Sequence, residues 1–120
     1  MPRGGEPFIR HRVPLDRDAE RRFIFTVAKF IIAVITAEPE HAHTVEQALQ
    51  AAVPSVRIEP GCIQYDLHRD PSKPGRFVMV EQWRDAQALK VHSNADAFRK
   101  LTAILDGRAS IEITDLVKIA

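Results

Sequence analysis

Two runs of residues on either side of a breaker-rich loop constrain the fold of this chain most. The first run, 62–69, alternates apolar and polar side chains, and the second, 76–83, is apolar on both faces. Two prolines and a glycine lie between them, in the segment 70–75. A period of two residues predicts strands, and the breakers predict an antiparallel hairpin. Since the second strand is apolar on both faces, the sheet needs a cover on each side.

Regular patterns before this hairpin predict a strand and a helix. The run 27–36 is rich in β-branched and aromatic residues, which favours a buried strand. Pro39 suits the first turn of a helix, and apolar residues such as Val45 and Leu49 then recur at steps of three and four. The sequence therefore predicts strand one followed by helix one.

Two short helices and a last strand are predicted after the hairpin. Asp85 can cap a helix that runs to His92, and Asn94 can cap a second helix that Gly107 ends. The alternating run 111–119 predicts strand four. The order strand, helix, strand, strand, helix, strand predicts a ferredoxin-like split βαβ: an α+β fold with an antiparallel sheet and helices on one face.

The face of the sheet without helices is also predicted to be apolar, so it needs a partner. The simplest partner is the same face of a second copy, which would give a homodimer with twofold symmetry. Such a contact would bury roughly 800 Å² per subunit, the size of an ordinary interface.

Length and charge limit the kinds of partner. A chain of 120 residues is one domain, and its net charge of +1 gives no field that would attract nucleic acid or an anionic membrane. The apolar run 23–37 is shorter than the roughly 20 residues of a membrane-spanning helix, and it begins too far into the chain for a secretion signal. The single cysteine, Cys62, excludes an internal disulfide and favours a cytoplasmic location. The partner is expected to be a small molecule or another protein chain.

The chain divides at about residue 22. Residues 1–22 are rich in proline, glycine and arginine and show no apolar period, which predicts an N-terminal extension. It is expected either to be flexible or to lie over a neighbouring subunit. Residues 23–120 are predicted to form the domain.

A tryptophan, a carboxylate and a histidine form the candidate site. Glu81 and Trp83 are two residues apart on a strand and share the face of Phe77 and Met79. His92 lies about two turns into the following helix and can fold back over Trp83. Each residue alone has an ordinary structural interpretation, as a core residue or half of an ion pair. Together they predict a pocket between sheet and helices.

The sequence also resembles a known family. Glu59-Pro60-Gly61-Cys62 with Tyr65, then Glu81-x-Trp83, then His92 and Phe98, is similar to the antibiotic biosynthesis monooxygenase family and its small quinol monooxygenases. The resemblance covers about residues 27–118. It implies a homodimeric α+β barrel with one pocket in each subunit, in which Trp83 and His92 match pocket residues and Glu81 matches the carboxylate before the tryptophan. Many members have a polar pocket residue in the first strand, and the corresponding position here is predicted to be Val34.

The resemblance implies oxygenation of a quinol or polyphenol by dioxygen without a cofactor or a metal. His92 is predicted to be the general base, because a neutral imidazole accepts a proton near pH 7. Glu81 is expected to have a raised pKa and to orient His92 or bind a substrate hydroxyl. The predicted catalytic residues are His92, Trp83 and Glu81, and the predicted substrate-binding residues are Phe77, Met79, Phe98 and Tyr65.

Several alternatives remain open. Tyr65 and His68 lie on opposite faces of strand two, so at most one of them reaches the pocket. A metal site at His41 and His43 is disfavoured, because residues two apart face different sides of a helix. Other functions are a non-catalytic dimeric binding module with the same fold, a protein that binds or degrades haem, and an isomerase.

Overall fold

The computed structural model describes residues 9–11 and 27–120. These residues form five strands, three α-helices and one 3₁₀ turn. In chain order they are β1 (Ile9–His11), β2 (Lys29–Ala37), the 3₁₀ turn (Pro39–His41), α1 (Ala42–Arg57), β3 (Cys62–Arg69), β4 (Arg76–Trp83), α2 (Ala86–Ser93), α3 (Asp96–Leu105) and β5 (Ala109–Leu116).

The five strands form one sheet in the order β1-β5-β2-β4-β3. Strand β4 is antiparallel to both β2 and β3, and β2 is antiparallel to both β4 and β5. The two strands on either side of each helical crossover are therefore parallel to each other, with a third strand between them. This is the split βαβ arrangement, so the predicted ferredoxin-like α+β fold is confirmed.

The predicted hairpin is confirmed as β3 and β4. Its loop closes through Asp70, whose Oδ1 accepts a hydrogen bond from the Ser72 amide at 2.8 Å. Gly75 ends the loop at φ +84, a left-handed conformation that glycine adopts without a steric cost. Along the strands Tyr65 lies opposite Glu81, and Cys62 lies opposite Trp83. The register therefore brings the start of β3 beside the end of β4, where the candidate site lies.

Several predicted boundaries differ from the structure: β2 spans Lys29–Ala37 rather than 27–36, and β5 begins at Ala109 rather than at 111. Asn94 does not cap α3: its Nδ2 donates to the Lys90 carbonyl at 2.9 Å, so it closes α2 instead, and Ala95 precedes α3 without a side-chain cap. Strand β5 ends at Leu116 rather than at 119, because Phe30 opposite Leu116 is the last residue pair that β2 offers. Beyond it Ile119 is exposed.

A short strand also forms inside the predicted N-terminal extension. Ile9–His11 pairs in parallel with β5, and Ile9 packs against the core. Three residues are too few to show a periodic pattern, which is why the sequence does not predict this strand. The rest of the predicted extension, residues 1–8 and 12–22, lies outside the described residues.

The helices pack on one face of the sheet. On β4 the residues at 77, 79, 81 and 83 are buried, whereas those at 76, 78, 80 and 82 are half-buried. Strand β2 shows the same alternation, with Ile31, Ala33, Ile35 and Ala37 buried. The core between this face and the helices includes Leu49 and Val56 of α1 and Leu105 of α3. Among the described residues, no helix is long and apolar enough to cross a membrane.

Candidate active site

The imidazole of His92 stacks on the indole of Trp83. The two ring centroids are 4.4 Å apart and the ring planes meet at 27°. Trp83 is 0% exposed and His92 is 3% exposed. Asp85 begins α2 by accepting a hydrogen bond from the Ala88 amide at 2.8 Å, and this cap fixes where the helix starts above β4. The predicted return of His92 over Trp83 is confirmed.

The Glu59 carboxylate is the hydrogen-bond partner of His92. Glu59 Oε1 is 2.8 Å from His92 Nδ1, and the two side chains are 12% and 4% exposed. The turn that carries Glu59 is held by the Glu59 amide, which donates to the Val56 carbonyl at 3.0 Å. Of the two roles expected of Glu81, to orient His92 or to bind a substrate hydroxyl, the first is wrong, because the carboxylate that contacts His92 is that of Glu59.

Burial and the Glu59 carboxylate shift the pKa of His92 in opposite directions. Burial disfavours the imidazolium and lowers the pKa of His92, and the hydrogen bond and charge of Glu59 oppose that effect. The net pKa lies below the usual value, so the ring is neutral at pH 7. A neutral imidazole holds its proton on one of its two ring nitrogens, and Nδ1 is the one that faces Glu59 Oε1.

The Glu81 carboxylate binds the indole of Trp83. Trp83 Nε1 donates to Glu81 Oε1 at 2.9 Å, within a buried layer where Glu81 is 7% exposed. Burial raises the pKa of Glu81 to about 7, and the indole hydrogen bond only partly offsets this. The expected upward shift of the pKa is confirmed.

Two further rings surround His92. Tyr65 lies edge-on at a centroid distance of 5.7 Å, and Phe98 of α3 lies edge-on at 5.3 Å. Tyr65 is 3% exposed, and burial raises the pKa of its phenol. His68 is exposed on the opposite face of β3, where its Nδ1 is 3.3 Å from the Val78 carbonyl. Of the two alternatives on this strand, Tyr65 is the one beside His92.

Phe77 and Met79 lie further along the same buried face. Both belong to the core. Phe77 is six residues from Trp83, which is roughly 20 Å along a strand, and it borders a separate cavity of about 220 Å³ with Leu67, Arg69 and Gln50. Their predicted role in binding substrate stays a prediction.

Comparison with known proteins decides the family. The family model for antibiotic biosynthesis monooxygenases matches residues 30–103, a range that contains Glu59, Glu81, Trp83 and His92. The chain belongs to the antibiotic biosynthesis monooxygenase family.

Similar proteins are found among curated sequences and solved structures. The chain is 34% identical over 71 residues to the Bacillus subtilis protein named "Putative monooxygenase YcnE", which covers 59% of this chain and 75% of that protein. It superposes on the crystal structure of PA3566 from Pseudomonas aeruginosa with a TM-score of 0.76 and 38% identity, covering 80% and 98% of the two chains. A crystal structure of an antibiotic biosynthesis monooxygenase gives a TM-score of 0.72 with 28% identity, covering 77% and 99%.

The predicted place of Val34 in the pocket of this family member is wrong. Val34 lies on the sheet face away from the helices, because the buried residues of β2 are those at odd positions. It borders a groove of about 470 Å³ with Thr36, Arg76, Lys73 and Ser110. The β2 residue opposite Glu81 is Ile31. The apolar side chain at Val34 therefore removes no polar group from the site around His92.

Sequence reasoning missed Glu59 as a site residue. It lies 33 positions before His92, and its Glu-Pro-Gly setting is typical of a turn. The signal was the hairpin register: once Cys62 pairs with Trp83, the acid just before β3 must lie near the indole. Among the described residues, no group of three or more His, Cys, Asp or Glu is placed to hold a metal ion.

Proposed function

We propose that this protein is a cofactor-independent monooxygenase that oxidises a quinol or polyphenol. The observation that supports it is the imidazole of His92, which is buried, stacked on Trp83 and bonded through Nδ1 to Glu59, and whose pKa is lowered by burial. A buried neutral imidazole with a free lone pair is suited to take a proton from a phenol near pH 7. Membership in the antibiotic biosynthesis monooxygenase family supports the class of reaction.

The proposed substrate supplies all the electrons that reduce dioxygen. His92 Nε2 removes a phenolic proton, and the resulting phenolate gives an electron to O₂. The ring radical and the superoxide then combine in a C–O bond, and the proton returns to the outer oxygen to give a hydroperoxide. Loss of the hydrogen on that ring carbon breaks the O–O bond, so that one oxygen stays on the ring and the other leaves as water. A benzenediol thus becomes a hydroxybenzoquinone, and atoms and electrons balance without an external reductant.

The aromatic residues would hold the substrate and exclude water. Phe98, which is half-buried and contacts the His92 ring, would offer an apolar surface to an aromatic substrate, whereas the fully buried Trp83 would support His92 from the core. Tyr65 closes the edge of the same cluster. Glu81, whose pKa of about 7 makes it both an acid and a base at neutral pH, would bind a substrate hydroxyl.

A non-catalytic binding module is the second candidate. It is favoured by the close packing of the cluster, in which Trp83 is 0% exposed and His92 is 3% exposed. In that case the four rings act as core and the carboxylates satisfy their polar atoms. Haem binding through His92 Nε2 would also place a ligand at this cluster, and so would isomerase chemistry. A shifted Soret band on mixing the protein with hemin would reveal haem binding.

The proposal includes a homodimer in the cytoplasm. The sheet face away from the helices carries half-buried apolar side chains on its two central strands: Phe30, Ile32, Val34, Val78 and Val80. A second copy would bury this face. Light scattering after size exclusion would test this point, and a monomeric mass at about 100 μM, well above the roughly micromolar Kd of a weak contact, would overturn it. The free thiol of Cys62 accords with a reducing compartment.

Labelled dioxygen distinguishes the candidate functions. The purified protein is incubated with a panel of quinols and anthrones under ¹⁸O₂, and the products are analysed by mass spectrometry. We expect one labelled oxygen atom in the product of at least one substrate, at a rate above the protein-free rate. Products formed at the protein-free rate for the whole panel, together with saturable quenching of Trp83 fluorescence by the same compounds, would favour the binding module.

A further inference from the structure

We infer that Glu59 is a positioning residue, which holds the proton of His92 on Nδ1 and so presents Nε2 to the ligand. The inference about the ring rests on the structure alone, whereas its catalytic consequence rests on the proposed function. No other described side chain makes a hydrogen bond to this imidazole.

The turn before β3 holds the Glu59 backbone rigidly. The Glu59 amide donates to the Val56 carbonyl at the end of α1, and the Cys62 amide donates to the Glu59 carbonyl at 3.2 Å. Gly61, at φ +78, lies so close to α2 that an added Cβ would be 2.5 Å from Ala88 Cβ. The carboxylate therefore reaches His92 from a backbone that is anchored both to α1 and beside α2.

The chemistry of the pair selects one tautomer of the ring. A neutral histidine can hold its proton on either nitrogen. With the proton on Nε2, the lone pair of Nδ1 would face a carboxylate oxygen at 2.8 Å in a buried site, where repulsion is weakly screened. With the proton on Nδ1, the same distance is a charge-assisted hydrogen bond. The carboxylate thus favours the Nδ1–H form and leaves Nε2 as the basic nitrogen.

The other titratable groups near the ring do not provide this restraint. Glu81 is engaged by Trp83 Nε1, and Tyr65 meets His92 through its ring edge. Cys62 lies opposite Trp83, and burial raises the pKa of its thiol, so it is neutral at pH 7. The nearby cation Arg57 is bonded to the Tyr65 carbonyl and to Asp66. On α3 the residue that contacts His92 is Phe98, which does not titrate. Glu59 is therefore the anion that acts on the imidazole.

Nuclear magnetic resonance of the imidazole nitrogens tests the inference without any substrate. The ¹⁵N-labelled full-length protein is compared with Glu59→Gln and Glu59→Ala, and His92→Gln assigns the signals. We expect the Nδ1–H form in the wild-type protein. In both Glu59 variants we expect a mixture of tautomers and a lower His92 pKa, because the hydrogen bond and charge that raise it are lost. Glu46→Gln, which removes a carboxylate bonded to Arg69 instead, should keep the wild-type tautomer.

Activity then separates this inference from the proposed function. If a quinol is oxygenated, Glu59→Gln should lower kcat by roughly 10- to 100-fold, the usual cost of losing a partner that orients a functional histidine, with little change in KM. The acidic limb of the pH–rate profile of this variant should also move to lower pH, because the pKa of His92 is lower. If no quinol is oxygenated, the tautomer result still decides the role of Glu59. A wild-type ring protonated on Nε2, or a tautomer and pKa unchanged in folded Glu59→Ala, would overturn the inference.

Discussion

The substitution Glu81→Gln should make the protein more stable at alkaline pH. Glu81 is 7% exposed, and among the described residues its side chain has no cation as a partner. Gln has nearly the same shape and retains an oxygen that accepts the hydrogen bond from Trp83 Nε1. The substitution therefore removes the buried negative charge and leaves the packing and the indole hydrogen bond in place.

The magnitude follows from the pKa of the buried carboxyl. Its pKa is raised from an ordinary 4.5 to about 7 in the folded protein. An acid with a raised pKa stabilises the folded state while it is protonated, and this stability is lost as the pH rises from the unfolded value through the folded one. At 1.36 kcal/mol for each pKa unit, the loss amounts to about 3 kcal/mol. That is a large part of the 5–15 kcal/mol that stabilises a typical domain.

Urea denaturation of both proteins at about pH 4.5 and about pH 8.5 measures this effect directly. We expect the free energy of unfolding of Glu81→Gln, relative to wild type, to rise by about 3 kcal/mol between the two pH values. A constant cost of burying the amide cancels in this comparison. As a control, the free energy of unfolding of Glu46→Gln, relative to wild type, should fall between the same two pH values, because Arg69 lowers the pKa of Glu46. Parallel pH dependences for wild type and Glu81→Gln would refute the argument.

Four further substitutions test the local structure. Asp85→Ala should lower the free energy of unfolding by about 1 kcal/mol through loss of the α2 cap, measured by urea denaturation, and no change would exclude this cap as a stabilising contact. Gly61 and Gly107 both have a positive φ, but only at Gly61 would an added Cβ contact Ala88. Gly61→Ala should therefore have a free energy of unfolding about 1–3 kcal/mol lower than Gly107→Ala. Equal free energies of unfolding would contradict the close approach of Gly61 to Ala88. Trp83→Phe should lower the free energy of unfolding by about 2 kcal/mol at pH 8, where the buried Glu81 carboxylate loses its hydrogen bond from the indole, and by less at pH 5. A loss of stability that does not depend on pH would exclude this hydrogen bond as a stabilising contact.

The sequence is most informative where local periodicity and a stop signal coincide. The alternating run before the 70–75 loop and the apolar run after it predict the bounds of β3 and β4 correctly. Asp85 caps α2 as predicted, because an aspartate before a helix satisfies its free amides whatever the tertiary context. Once strand and helix are placed, the return of His92 over Trp83 follows from helix geometry.

Features that depend on distant partners could not be predicted in this way. Strand β5 ends where β2 stops offering residue pairs, although the alternation in its sequence continues. Strand β1 exists because β5 presents a free edge to it. The face on which Val34 lies depends on the register of β2, and a shift of one residue moves every side chain of a strand to the opposite face.

The candidate site shows the same division. Spacing along one strand and the following helix brings Trp83, Glu81 and His92 together, and the family resemblance predicts their role as a site. The partner of His92 was not predicted, because Glu59 reaches it across 33 positions and only the β3–β4 pairing brings the two together. A Glu-Pro-Gly turn can thus contain the carboxylate that contacts the histidine of a site.

The rate of oxygen uptake with an oxidisable quinol, compared between wild type and His92→Gln, tests the central claim most directly. We expect the variant to be roughly 10²- to 10⁴-fold slower, the usual contribution of a general base. His43→Gln, which alters an exposed histidine of α1, should keep the wild-type rate. Equal rates for wild type and a folded His92→Gln variant would contradict the assignment of His92 as the base.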